Sequence, residues 1–150
     1  MRTLPITAVV LMLCVLAFAT TVSAEQAPPP ALYRIIVNPK NPVTALDRRF
    51  LQDAFLKKTR YWPGDKVIKP VDLTPSSSVR DRFTQEVLGR STSAIRAYWQ
   101  QRIFSGRDVP PPELASDQKV VEYVLQHAEA VGYVSGAAEL AGSKVVRLTR

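Results

Sequence analysis

The sequence has few of the residues from which most catalytic and metal sites are built. It contains one cysteine, Cys14, and one histidine, His127, in 150 residues. Cys14 falls in a segment with the features of a cleaved export signal, so we expect the processed chain to contain no disulfide and no thiolate nucleophile. A zinc site would need carboxylates for nearly every ligand, which is unusual. We therefore expect no metal ion and no cofactor.

Known catalytic motifs are also missing. Glycine is scarce, with six residues, and the chain has neither a G-x-x-x-x-G-K-[ST] phosphate loop nor a G-x-G-x-x-G dinucleotide motif. The segment "GYVSGAA" (132–138) lacks the G-x-S-x-G spacing of a nucleophile elbow. His127 is expected at the C-terminal end of a helix, where it favours the helix dipole. We accordingly predict a protein that is not an enzyme and has no catalytic residues.

Residues 1–24 have the pattern of a cleaved export signal. Arg2 precedes an apolar stretch over residues 8–19, and the small residues at 22–24 are typical of a signal-peptidase site. The stretch is shorter than the roughly 20 residues that a membrane span needs. We therefore expect a periplasmic protein with no stable membrane span. A disordered polar leader at 25–31 is expected before a single domain at 32–150.

Predicted strands and helices alternate along the remaining chain. Runs of β-branched and apolar residues predict strands at 32–37, 67–73, 130–136 and 144–148. Capping residues place the starts of four amphipathic helices at the Thr44/Asp47 pair, at Ser77 or Ser78, at Ser91 or Ser93, and at Ser116 or Asp117. Three consecutive prolines make residues 105–114 a predicted loop. This order predicts an α/β domain with a partly parallel sheet.

The charge of the chain favours an anionic partner without naming one. Lysine and arginine number 20 against 13 acidic residues, and they are spread along the chain rather than clustered in a run. A basic surface with no specific partner fits equally well. Trp99 falls on the apolar stripe of the predicted third helix, so it is expected in the core rather than stacked on a base. Together with the export signal, this argues against a nucleic-acid partner.

The stretch "DLTPSSSVRDRF" (72–83) is the strongest candidate for a binding site. The start of a helix presents unpaired backbone N–H groups and the positive end of the helix dipole, which together attract an oxyanion. The hydroxyls of Ser76, Ser77 and Ser78 would add donors, and Arg80 would add charge. The alternative is that one of these serines caps the helix and that the others occupy a turn.

The order of motifs resembles the second lobe of the phosphate-binding proteins of bacterial ABC transporters. The likeness is carried by "IIVNPKNPVTALDRRFLQDAFLKKTRYWPGDKVIKPVDL" (35–73), by "SSSVRDRF" (76–83) and by "VVEYVLQHAEAVGYVSGAA" (120–138). The second of these is similar to the "SGT…F" helix start of that family. The resemblance implies one lobe of a type II periplasmic-binding-protein fold, with a mixed sheet flanked by helices. It also implies a phosphate-like oxyanion at residues 76–78.

The sequence departs from that family in two respects. Ser77 matches the family's serine, but Ser78 stands where glycine is usual and Val79 where threonine is usual; a shift of one residue would pair Ser76 with Ser77 instead. The family's upstream arginine has no counterpart, so Arg80 would replace it from along the helix. A complete binding protein has two lobes, and this chain resembles one. A second hypothesis is therefore an envelope interaction domain that docks a partner protein or a second copy.

Overall fold

A computed structural model describes residues 32–150 of the chain. The predicted export signal and leader lie outside the described residues. The helices are α1 (Arg48–Phe55), α2 (Ser78–Phe83), α3 (Thr92–Phe104) and α4 (Asp117–Gln126), and a π-helical segment, Thr84–Leu88, continues α2. The strands are β1 (Tyr33–Val37), β2 (Ala45–Asp47), β3 (Lys69–Pro70), β4 (Asp72–Leu73), β5 (Glu113–Leu114), β6 (Ala130–Ser135) and β7 (Lys144–Thr149).

Five strands form a mixed sheet in the order β2-β7-β1-β6-β3. The central strand β1 is antiparallel to both β6 and β7, while the outer strands β2 and β3 run parallel to their neighbours. Strands β4 and β5 form a separate parallel pair. The predicted α/β class with a mixed sheet is confirmed.

Helices cover both faces of the sheet at β6. The residues of a strand point alternately to its two faces. A Cβ added at Gly132 would come within 2.7 Å of Val120 of α4. The ring of the next residue, Tyr133, stacks on Phe83 of α2 at 3.8 Å and also faces Phe55 of α1. The core therefore lies on both sides of β6, which explains why that strand is almost entirely apolar and buried.

The structure corrects three sequence-based predictions. Helix α1 is capped by Asp47 alone, because Ala45–Asp47 pairs with β7 as strand β2 instead of starting the helix at Thr44. The strand predicted at 67–73 is divided into β3 and β4, which pair with different partners. The loop predicted at 105–114 ends in β5, because its last two residues follow the prolines and can pair with β4.

The other predicted helix starts and aromatic positions agree with the structure. Ser91 caps α3 and Ser116 caps α4, each accepting a hydrogen bond from the backbone three residues on. Trp99 is buried, as its place on the apolar stripe predicted. His127 follows the last turn of α4, and its Nδ1 lies 2.8 Å from the carbonyl of Tyr123. None of the helices within residues 32–150 is both long and apolar enough to cross a bilayer.

Candidate anion site at the start of helix α2

The three serines lie together at the exposed start of α2. Ser77 is the N-cap, and its Oγ accepts a hydrogen bond from the backbone N–H of Arg80 at 3.4 Å. Ser76 and Ser78 are exposed, and the Ser76 hydroxyl lies 3.3 Å from that of Thr74. One serine therefore serves as the cap, and the other two keep hydroxyl groups available to solvent.

Two backbone donors are available beside these hydroxyls. Ser78 and Val79 are the first two residues of α2. Their N–H groups have no hydrogen-bond partner among residues 32–150. This is the expected condition of the first turn of a helix, where no preceding carbonyl is in position to accept. The helix start thus offers two N–H groups and two hydroxyls to a small ligand.

Arg80, the predicted source of positive charge, is buried beneath the helix start. Its Nη1 donates hydrogen bonds to the Leu73 carbonyl at 2.7 Å and to Glu113 Oε1 at 2.6 Å. Its Nη2 lies 3.2 Å from Asp72 Oδ2. The guanidinium is therefore already paired with two carboxylates and one carbonyl. The structure does not direct it towards the solvent side of the three serines.

The pairing of β4 with β5 explains why a cation is needed at this place. Asp72 and Glu113 are direct partners in the register of the two strands. Like charges that face each other across strands destabilise the pair. Arg80 lies against both carboxylates and compensates this repulsion. Tyr133 completes the network from β6, since its hydroxyl donates a hydrogen bond to Asp72 Oδ1.

Burial sets the direction of the pKa shifts in this network. Burial raises the pKa of the Asp72 carboxyl, and the opposing effects of Arg80 and the Tyr133 hydroxyl compensate only in part. Burial also raises the pKa of Tyr133, with the Asp72 carboxylate acting in the same direction. For Arg80, burial alone would lower the pKa, but the two acidic partners outweigh it and the pKa is raised. Arg80 therefore remains charged and Tyr133 remains a hydrogen-bond donor.

A shallow pocket of about 180 Å³ lies beside the helix start. Its lining includes Pro75, which precedes the three serines, and Arg96 from α3. Arg96 is exposed and makes no ion pair within residues 32–150. Our sequence analysis did not single out Arg96, because nothing in the sequence shows that it lines the same pocket as Pro75. The described residues contain no group of three His, Cys, Asp or Glu side chains that could hold a metal ion.

Comparisons with known proteins show which solved structures have a similar fold. Neither a protein-family model nor a curated protein matches the chain. Among solved structures, the chain is similar to an ABC-type phosphate transport receptor from Vibrio cholerae, with 22% identity and a TM-score of 0.59 over 77% of this chain and 45% of that one. It is also similar to PstS from Borrelia burgdorferi, with 13% identity and a TM-score of 0.60 over 79% of this chain and 47% of that one.

A third similar structure contains a ligand. It is a protein from Clostridium perfringens, assigned as a phosphate ABC transporter substrate-binding protein, with bound phosphate. The identity is 20% and the TM-score is 0.58, over 77% of this chain and 44% of that one. The fold is that of one lobe of a periplasmic binding protein. The chain spans less than half the length of each of these three solved structures.

Proposed function

We propose that this protein is a non-enzymatic binding module of the periplasm, related to the phosphate-binding proteins of ABC transporters. It binds a small oxyanion such as phosphate at the start of α2. The donors are the N–H groups of Ser78 and Val79 and the hydroxyls of Ser76 and Ser78. The main support is the likeness of the fold to phosphate receptors, one of which was solved with phosphate bound.

Within this proposal Ser77 and Arg80 hold the helix start in place. Ser77 caps the helix, and Arg80 joins it to β4 and β5 while neutralising the carboxylates beneath it. Arg96, an exposed cation that lines the pocket containing Pro75, is the residue to which we assign the remaining positive charge. One lobe supplies one wall of a cleft, so the ligand keeps part of its hydration and binds weakly. We expect dissociation constants in the millimolar range.

The test is a thermal-unfolding series with phosphate, sulfate and chloride at matched ionic strength. Ligand at ten times its dissociation constant stabilises the folded state by about 1.4 kcal/mol. We expect phosphate or sulfate to raise the Tm by several degrees and chloride to leave it unchanged. Equal shifts for all three salts would indicate a general salt effect and would contradict the proposal.

Ser78→Pro is the sharpest variant for locating the site. Ser78 is the first helical residue, where proline is tolerated, and Ser77 already has the extended backbone (φ −79°, ψ 123°) that a following proline requires. The substitution removes one N–H donor and one hydroxyl while the helix start is kept. We expect the phosphate shift to be lost in Ser78→Pro and reduced in Arg96→Gln. Arg147→Gln, which removes an exposed cation elsewhere, should retain it.

As a second function we propose an envelope interaction domain. The guanidinium of Arg80 is engaged by Asp72, Glu113 and the Leu73 carbonyl, so it would not contact a ligand in this arrangement. In that case the docked partner is another envelope protein or a second copy of the chain. If no oxyanion changes the Tm, this second function becomes the preferred one, and light scattering on the purified protein tests for the second copy.

A further inference from the structure

Exposed apolar side chains are concentrated in two segments, residues 57–69 and 96–109, which we call the basic–apolar end. Seven large apolar residues are exposed within the described part of the chain, and five of them belong to these segments: Tyr61, Val67, Ile103, Phe104 and Val109. Phe104, the last residue of α3, is 89% exposed. Single exposed apolar residues are ordinary on protein surfaces, but a concentration of them marks an interaction surface.

The same two segments carry almost all of the net charge. They contain eight lysines and arginines and two aspartates, a net charge of +6. The described residues as a whole contain nineteen basic and twelve acidic residues, a net charge of +7. The remaining surface is therefore close to neutral, whereas the basic–apolar end is strongly cationic.

Asp108 brings the two segments side by side. Its carboxylate lies 2.5 Å from Arg60, 3.4 Å from Lys57 and 3.9 Å from Arg102. Segment 57–69 is itself folded back, with Tyr61 opposite Val67 in an antiparallel bridge that places both side chains on one side. The two segments thus meet around Asp108, and the exposed apolar residues Tyr61, Phe104 and Val109 lie within two residues of these ion pairs along the chain.

Several cations at this end are not neutralised. Lys66, Lys69, Arg96 and Arg107 make no ion pair within residues 32–150, in contrast to the three cations around Asp108. Unpaired surface cations create a positive potential that reaches about 8 Å at physiological ionic strength. The surface is therefore suited to a partner that is both anionic and able to take up apolar side chains.

We propose that the basic–apolar end docks the protein on an anionic lipid bilayer. The headgroup region attracts lysine and arginine, and the layer just below it accepts aromatic and aliphatic side chains. Phe104 projects from the surface, and a fluid bilayer receives such a side chain without a matching cavity. A second copy is the wrong occupant, because it would bring two surfaces of charge +6 together.

Vesicle co-sedimentation tests this proposal on the chain from Glu25 to Arg150. This form retains every described residue, including the buried apolar cluster formed by residues 32–150. Residues 1–24 are omitted because their apolar stretch would bind vesicles by itself. We expect binding to vesicles containing phosphatidylglycerol, little binding to pure phosphatidylcholine, and at least tenfold weaker binding when the salt concentration is raised to 0.5 M. Equal binding to both kinds of vesicle, or to neither, would overturn the proposal.

Matched variants locate the docking surface. We expect Phe104→Ala and Arg107→Gln each to weaken binding to the anionic vesicles about fivefold or more. Val145→Ala and Arg147→Gln remove an exposed apolar and an exposed basic side chain from β7, and they should bind like the wild type. Equal losses in both pairs would contradict the assignment. Capture by polyglutamate without any vesicle binding would identify an acidic protein as the partner and would also overturn it.

Discussion

Replacement of Arg80 by methionine tests the network beneath the helix start. Methionine has a similar length and is compatible with a helix, but it cannot pair with Asp72 or Glu113. The substitution leaves Asp72, which is 7% exposed, as a buried carboxylate without a cation. Glu113 is affected less, because its side chain is 39% exposed and can be solvated.

The magnitude follows from the burial of the pair. Removal of one partner of a buried ion pair costs about 3 to 5 kcal/mol, because an uncompensated charge stays in the interior. The Tyr133 hydroxyl and the Leu73 N–H still donate to Asp72 Oδ1, so we expect the lower end of this range. For a domain of this size, about 3 kcal/mol corresponds to a fall in Tm of roughly 10 °C. Urea denaturation at pH 7 measures the free energy of unfolding directly.

The cost should depend on pH in a defined direction. Burial already raises the pKa of Asp72, and loss of Arg80 raises it further. An ionised Asp72 destabilises the folded state at every pH above its folded pKa. The destabilisation is relieved as the pH falls through the folded pKa towards the unfolded value near 3.9. The difference in unfolding free energy between the wild type and Arg80→Met should therefore be smaller at pH 5 than at pH 7.

A double variant supplies the control. Asp72→Asn in the Arg80→Met background removes the unpaired charge and retains a side chain that can accept from Tyr133. It should recover at least 1 kcal/mol relative to Arg80→Met alone, since contacting residues couple in double-mutant cycles. A penalty below about 1 kcal/mol at pH 7, or one that is equal at pH 5 and pH 7, would refute the description of Asp72 as a buried, cation-dependent carboxylate.

Two further substitutions test the packing at β6 and the basic–apolar end. Gly132→Ala places a Cβ at 2.7 Å from Val120 and 2.8 Å from Val71. The resulting overpacking should lower the free energy of unfolding, measured in urea, by about 1 to 3 kcal/mol. An unchanged midpoint of urea denaturation would contradict the close approach of α4 to β6. Burial raises the pKa of the Asp108 carboxyl, but the backbone N–H of Val109 and the neighbouring cations Lys57 and Arg60 outweigh it and hold this pKa below its ordinary value. Its stabilisation is fully present above the unfolded pKa and is lost as the pH falls through the lower folded pKa. The difference in Tm between wild type and Asp108→Asn should therefore be present at pH 7 and shrink as the pH falls below the ordinary aspartate pKa.

The sequence predicted correctly those helices and strands whose conformation is determined by residues within or next to the element. The β-branched run at residues 33–37 forms β1, and Ser91 and Ser116 cap helices where their spacing indicated. The apolar stripe of the third predicted helix placed Trp99 correctly in the core. In each case the signal lies within a few residues of the element, and tertiary contacts reinforce it.

Elements that depend on distant partners were not predictable in the same way. Strands β4 and β5 have two residues each and exist only because they pair with each other. The position of Arg80 depends on that pairing, since Glu113 is separated from it by 33 residues and by the proline run. The sequence indicates a cation near a helix start. Only the register of Asp72 against Glu113 shows that the guanidinium of Arg80 already forms ion pairs with these two carboxylates.

The position of Arg80 changes how the proposed oxyanion site is to be tested. The guanidinium lies beneath α2 and joins the helix start to β4 and β5, so it would affect a ligand through the orientation of Ser78 and Val79 and not by contact. Loss of the phosphate shift in Arg80→Met would therefore accompany a large loss of stability and would not locate the ligand. In Ser78→Pro the network beneath the helix remains intact, and one donor is removed. Loss of the shift with a nearly unchanged Tm in that variant alone would assign binding to the helix start.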